Sequence, residues 1–239
     1  MRQTKPPTPP PSWWLWQDRE HPPALNMAID QTLLQMTPHQ GLPLLRFYGW
    51  DRPAVSIGYT QKHQLTARPG FTLVRRPTGG GLVYHDHDFT YSVIIPASHP
   101  ISKLDRNESY RVINQAVREG LRQAKIGSTL ADQQIPGSTD RAAMVCFDNP
   151  TRYDLLANGR KIAGSAQRRT ANGILHQGSI HFDAPLPETR KTLAQALING
   201  FRDSLGIAFL EFTEAAEIID LAMPLAKTQY DSAEWNQKR

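Results

Sequence analysis

One thiol, one lysine and a run of three glycines carry the chemistry available to this sequence. Cys146 is the only cysteine among 239 residues and sits in Met144-Val145-Cys146-Phe147-Asp148-Asn149-Pro150. A lone cysteine beside apolar residues is ordinarily a small buried hydrophobe. The turn-forming residues after it predict a strand end or loop instead, where reactive groups tend to lie. Such a thiol can act as a nucleophile if a neighbour stabilises its thiolate. Lys161 is the candidate neighbour. Strand alternation places it with Ala163 on one face, opposite Arg160 and Ile162. A strand lysine is otherwise a solvated edge residue, but the small residues Ala163, Gly164, Ser165 and Ala166 leave room beside it for a ligand chain.

The third feature is Arg75-Arg76-Pro77-Thr78-Gly79-Gly80-Gly81, which runs directly into Leu82-Val83-Tyr84. Glycine lets a ligand approach the backbone itself. Flanked by two guanidinium groups, such a loop can press N–H donors and positive charge against an anionic or carbonyl-bearing group. A plain hairpin turn is the simpler account of the glycines, and neither GxxxxGK[ST] nor GxGxxG occurs here. His176-Gln177-Gly178-Ser179 offers another backbone donor at Gly178 for a developing oxyanion, or else a core strand with a satisfied His176. His85 and His87, in His85-Asp86-His87-Asp88, alternate as metal ligands could. No second Cys/His cluster accompanies them, so no metal is expected.

The bulk properties exclude several classes. No stretch of eighteen apolar residues is present, so no membrane span is expected. The proline-rich start lacks the apolar core of a secretory signal. One cysteine precludes an internal disulfide and suits a reducing, cytoplasmic setting. A formal charge of +5 favours an acidic partner. Basic residues are not interleaved with aromatics as a stacking platform requires, so nucleic acid is not expected.

The elements that must position these groups follow from periodicity. Residues 1–12 read as a disordered, proline-rich lead-in, and residues 13–239 as a single catalytic domain. Trp13 to Trp16 open it as a strand. A helix from Ala24 carries Leu25, Ala28, Ile29 and Leu33 at helical spacing, with Asn26 and Asp30 sharing a face. Strands are predicted over 43–50, 54–59, 71–74 and 90–95, and an amphipathic helix over 109–124. Residues 127–142 read as an irregular surface loop. Asn158-Gly159 predicts a hairpin joining 153–157 to 160–164. A strand over 173–182, helices over 193–205 and 214–226, and a short strand over 207–212 complete an α+β fold around a mixed, mainly antiparallel sheet.

Taken together, these patches resemble the biotin/lipoate protein ligase and octanoyltransferase family. Asn26-Met27-Ala28-Ile29-Asp30, Leu45-Arg46-Phe47-Tyr48-Gly49-Trp50, Pro53-Ala54-Val55-Ser56-Ile57-Gly58, the Arg75–Gly81 loop, the Gly159–Gln167 stretch and His176-Gln177-Gly178-Ser179 carry the likeness. They occur in the family's order, from about Trp14 to Asp183. The resemblance implies a biotin/lipoate ligase-like catalytic fold whose loop and lysine strand line an acyl tunnel. It implies substrate contacts at Arg75, Arg76, Thr78, Gly79, Gly80, Gly81, His85, Gly164, Ser165, Ala166, His176 and Gly178. Cys146 and Lys161 are the implied catalytic pair.

Two branches fit. In the transferase branch, octanoyl moves from acyl carrier protein through a cysteine thioester to a lysine of a lipoyl-carrier such as the glycine-cleavage H protein. It requires no cofactor, and Lys161 or His85 could take the amine's proton. In the ligase branch, ATP and Mg activate lipoate as an adenylate. Pro77, Thr78 and Cys146-Phe147 look like the transferases. Gly81 stands where those proteins usually carry arginine, and Gly-Gly-Gly is common among ligases. A non-catalytic acyl-binding protein is a third alternative.

Overall fold

The computed structural model describes residues 10–63, 69–132, 151–181 and 190–238. The chain runs β1 (Ser12–His21), α1 (Pro23–Gln40), β2 (Leu44–Trp50), β3 (Ala54–Ile57), β4 (Thr72–Arg75), β5 (Val83–His85) and β6 (Phe89–Pro96). It continues through α2 (Pro100–Lys103), α3 (Arg106–Gln123), β7 (Thr129–Leu130), β8 (Leu155–Ala157), β9 (Arg160–Thr170) and β10 (Gly173–Ile180). Helix α4 (Arg190–Leu205), β11 (Ala208–Glu211), α5 (Ala215–Leu225), a π-helical turn (Ala226–Tyr230) and α6 (Ala233–Asn236) follow.

Eight strands form one sheet in the order β11-β1-β2-β6-β10-β9-β8-β7. The two pairings of β1 are parallel and the other five are antiparallel. The α+β class and the mainly antiparallel sheet are therefore as the sequence predicts. Strand β1 starts at Ser12, and the Pro11 carbonyl accepts from Ala208 N at 2.9 Å. The end of the proposed lead-in is thus part of the sheet; residues 1–9 lie outside the described residues. Strand β7 falls inside the stretch expected to be irregular. Asn158 and Gly159, both at positive φ (50° and 76°), make the tight turn between β8 and β9.

Helices cover both faces. Helix α3 is capped by Asp105, whose side chain accepts from Glu108 N, and it buries Ile113, Ala116, Val117 and Leu121. With α4 it packs on Leu45, Phe47, Tyr91 and Val93. Helix α1 begins with proline at its first turn and ends at Gly41 in the left-handed conformation. With α5 and the π turn it packs on the other face, against Leu44, Ile94 and Leu175. Pro224 inside α5 removes a helical N–H donor just before the chain widens into the π turn. Among the described residues, no helix is long and apolar enough to cross a membrane.

Three strands form a separate sheet, β4-β3-β5, with β3 parallel to β4 and antiparallel to β5. Val55, Ile57 and Leu82 form its own small core. Thr78, just beyond β4, bonds to Gln177 of the large sheet.

Candidate functional site

A narrow slot lies between the large sheet and the small one. Met27, Tyr48, Thr90, Gln177 and Ser179 face it from α1, β2, β6 and β10. Ser56, Arg76, Val83 and His85 close it from the small sheet, and Gly164, Ser165, Ala166 and Gly178 form a wall with little side-chain bulk. Its empty space is about 410 Å³.

Lys161 reaches this wall because β9 is irregular. Leu155 pairs with Ala163 and the next residue, Leu156, pairs with Lys161, so two steps on β9 oppose one on β8. A bulge of this kind re-aims side chains. Ala163 turns into the core beneath α3 and α4, and Ile162 packs against the same cluster. Lys161 lies on the opposite face: a Cβ at Gly164 would sit 2.4 Å from its Cε. The expected grouping of Lys161 with Ala163 is thus corrected by the bulge. The Lys161 Nζ is 2.7 Å from Asp154 Oδ2, with both side chains almost fully buried. Asp154 also accepts from Thr151 N and Oγ1, at 2.6 and 2.9 Å.

The two loop arginines have different duties. Arg76 donates to Ser56 O and Oγ at 2.8 and 2.7 Å, and to Gly79 O and Gly81 O at 3.0 and 2.7 Å. Its guanidinium is the inner frame of the glycine loop. Arg75 points away from the slot. It donates to the carbonyls of Gly58, Gln61, Trp235 and Asn236, and its own N–H donates to Asn236 Oδ1 at 2.8 Å. It ties the start of the loop to α6. Thr78, Gly79, Gly80 and Gly81 belong to the loop without lining the slot.

His85 is held at both nitrogens, by Ser56 Oγ and by Asp88 Oδ2, each at 2.7 Å. The Trp50 ring stacks on it at 3.9 Å. Asp88 Oδ2 further accepts from Ser179 Oγ at 2.6 Å and Thr90 Oγ1 at 2.8 Å. Burial pushes the Asp88 carboxyl up, but His85 and the donor hydroxyl of Ser179 overcome it and bring the pKa down to about 2. Because the folded pKa lies below the value of 3.8 for a free aspartate, its contribution is complete above about pH 4 and is lost as pH falls towards 2. That is about 2 kcal/mol. Urea unfolding at stepped pH is expected to show this acid loss in the wild type and a shallower slope in Asp88→Asn. Identical slopes would contradict it.

Beneath the slot is a buried polar platform. Arg46, fully buried, donates to Asp30 Oδ1 at 2.7 Å, Asp18 Oδ2 at 2.8 Å and Asn26 Oδ1 at 2.8 Å. Its guanidinium lies 4.1 Å from the Tyr48 ring centre. Asp30 also accepts from Ser92 and from Gln177 Nε2, and Gln177 Oε1 accepts from Thr78 at 2.7 Å. A continuous chain of bonds thus links α1 to the arginine–glycine loop.

His176 lies off the slot. It packs beside Tyr91 and Tyr110 on the α3 side, with Nδ1 3.0 Å from Gln167 Nε2, and burial brings its pKa down to about 3. Gly178 is required by the same aromatic: a Cβ there would lie 2.1 Å from Tyr91 Cζ. His87 is exposed, and among the described residues no group of three or more His, Cys, Asp or Glu could hold a metal. Cys146 lies outside the described residues. The sequence reading passed over Ser56, Asp88 and Asp154. For Asp88, its spacing from His85 was the available signal, and it was weighed there only as metal chemistry.

A mixed sheet covered by helices on both faces, with a second small sheet beside it, is a fold that solved structures share. Ta0514 from T. acidophilum with bound lipoic acid has 26% identity and a TM-score of 0.79, over 95% of this chain and 100% of that one. Lipoate-protein ligase A bound with ATP has 26% identity and a TM-score of 0.74, over 95% and 98%. The class is that of lipoate-ligase-type catalytic domains. Residues 22–205 match the lipoyl protein ligase A/B catalytic domain, and the chain belongs to that family. Octanoyltransferase LipM of Geobacillus kaustophilus is 37% identical over 91% of this chain and 95% of that protein. The Bacillus subtilis protein of the same name is 33% identical over the same shares.

Proposed function

We propose that this protein moves an octanoyl group from a carrier thioester to a lysine of a lipoyl-carrier protein, holding it in between on Cys146. The observation that carries this reading is the slot, whose wall of Gly164, Ala166 and Gly178 beside Met27 and Val83 leaves apolar space for a hydrocarbon chain. Relatives named octanoyltransferase, matched along nearly their whole length, supply the acyl group. Octanoyl-acyl carrier protein is the donor, and a lipoyl domain such as that of the glycine-cleavage H protein is the acceptor. The net charge of +5 favours docking of acidic carriers, with affinity falling as salt rises.

In this mechanism the Cys146 thiolate attacks the donor carbonyl. Lys161, held at 2.7 Å by Asp154 beside Gly164, contributes its charge at that carbonyl. Backbone N–H groups of the glycine loop, which lies against Ala166 of the slot wall at Gly80, stabilise the oxyanion, each worth about 3 kcal/mol. Thioester to amide is downhill, so neither ATP nor Mg is needed.

Mixing with octanoyl-acyl carrier protein is expected to add one octanoyl mass to the intact protein, and apo-acceptor is then modified without nucleotide. Cys146→Ser abolishes both. The reading fails if no adduct forms and Cys146→Ser still modifies the acceptor when given octanoate, ATP and Mg, which is the ligase outcome.

A further inference from the structure

We propose that Ser56, His85 and Asp88 form a proton relay that takes a proton from the acceptor's ammonium group, with the Ser56 hydroxyl as the terminus facing the slot. The inference rests on the thioester reading above.

The geometry sets a direction. Asp88, ionised and able only to accept, binds Nδ1 of His85 at 2.7 Å, so the neutral imidazole carries its proton there and presents Nε2 as an acceptor. Ser56 Oγ, 2.7 Å from Nε2, donates to it. Arg76 Nη1 donates to the same Oγ at 2.7 Å, which occupies one of its two lone pairs. The hydroxyl lies on the slot wall with His85. Ser179 and Thr90 anchor Asp88, and Trp50 covers the imidazole. Each member is held from a different strand or turn, so the array is fixed before substrate arrives.

A lysine ammonium entering the slot gives one proton to Ser56 Oγ as the Ser56 proton moves to Nε2 of His85. The freed amine pair forms the C–N bond to the octanoyl carbonyl. The C–S bond breaks with its electrons on sulfur, the second amine proton neutralises the thiolate, and the imidazolium returns its proton to water. Ser56 is the group that touches substrate. His85 and Asp88 act through it.

The test separates deprotonation from everything else. Octanoyl-enzyme is challenged with the apo-acceptor lysine, an ammonium, and with hydroxylamine, which is already uncharged at neutral pH. Asp88→Asn and Ser56→Ala are expected to slow transfer to lysine by about a hundredfold and discharge to hydroxylamine by less than about threefold. A merely structural role would slow both alike. The relay is overturned if both nucleophiles slow in parallel in both variants, or if neither does. A wild-type enzyme that forms no octanoyl adduct overturns the thioester reading and the relay with it. A normal adduct that the variants discharge normally overturns the relay alone.

Discussion

Arg46→Met is expected to lower the unfolding free energy by about 3–5 kcal/mol, because it removes the guanidinium from a buried site holding two carboxylates. Methionine fills most of the volume, so the loss is electrostatic rather than a cavity. Asp18 and Asp30 stay where they are, each within 2.8 Å of the guanidinium in the wild type, Asp30 fully buried and Asp18 nearly so. Burial pushes the Asp18 carboxyl up, but its hydrogen bond to His21 and the charge of Arg46 hold it below the ordinary aspartate value. A depressed folded pKa gives stability that is present above the unfolded pKa and lost as pH falls through the folded one. The gap between wild type and variant is therefore full at neutral pH and narrows in acid. Adding Asp30→Asn should restore part of the loss, and a double-mutant cycle measures that coupling. Urea unfolding at pH 7 and in acid decides it: a deficit under about 1 kcal/mol, or one independent of pH, contradicts the account.

Gly58→Ala is expected to cost most of the activity although Gly58 does not line the slot. A Cβ at Gly58 would lie 2.0 Å from Gly80 O and 3.0 Å from the carbonyl carbons of Gly79 and Gly80. These are backbone atoms and have no rotamer by which to retreat. Gly80 already sits at φ 88°, and Arg76 holds the carbonyls on both sides of it. The loop must yield by roughly 1 Å, a displacement that costs about a hundredfold in rate when it moves an oriented site. Octanoyl transfer should fall by that factor while circular dichroism and the sheet remain native. Wild-type turnover in Gly58→Ala would mean that the loop does not position the acyl group.

How much of this was legible beforehand depends on how local the cause is. Val112, Ile113, Ala116 and Val117 repeat at helical spacing, and Asn158-Gly159 specifies its turn without help from the rest of the chain, so these elements could be read directly. The bulge at Ile162 could not, because it exists only in the pairing of β8 with β9. It reverses which neighbours share a face with Lys161. Arg75 and Arg76 look equivalent as text, yet one frames the loop and the other binds a helix encoded 161 positions later. His176 stands one residue from Gln177, and strand alternation sends the two to opposite faces of the sheet. The constellation at Ser56, His85 and Asp88 is drawn from a strand in one sheet, a strand end and a connecting turn, with no spacing signature of its own.

The bond between Arg75 and Asn236 also has a consequence in time. A ribosome makes the roof of the slot early and its fastening 161 positions later. Until residues 232–238 have emerged, the base of the glycine loop lacks the carbonyls of Trp235 and Asn236 among its partners, and the nascent polypeptide cannot yet present a finished cavity to an acyl donor.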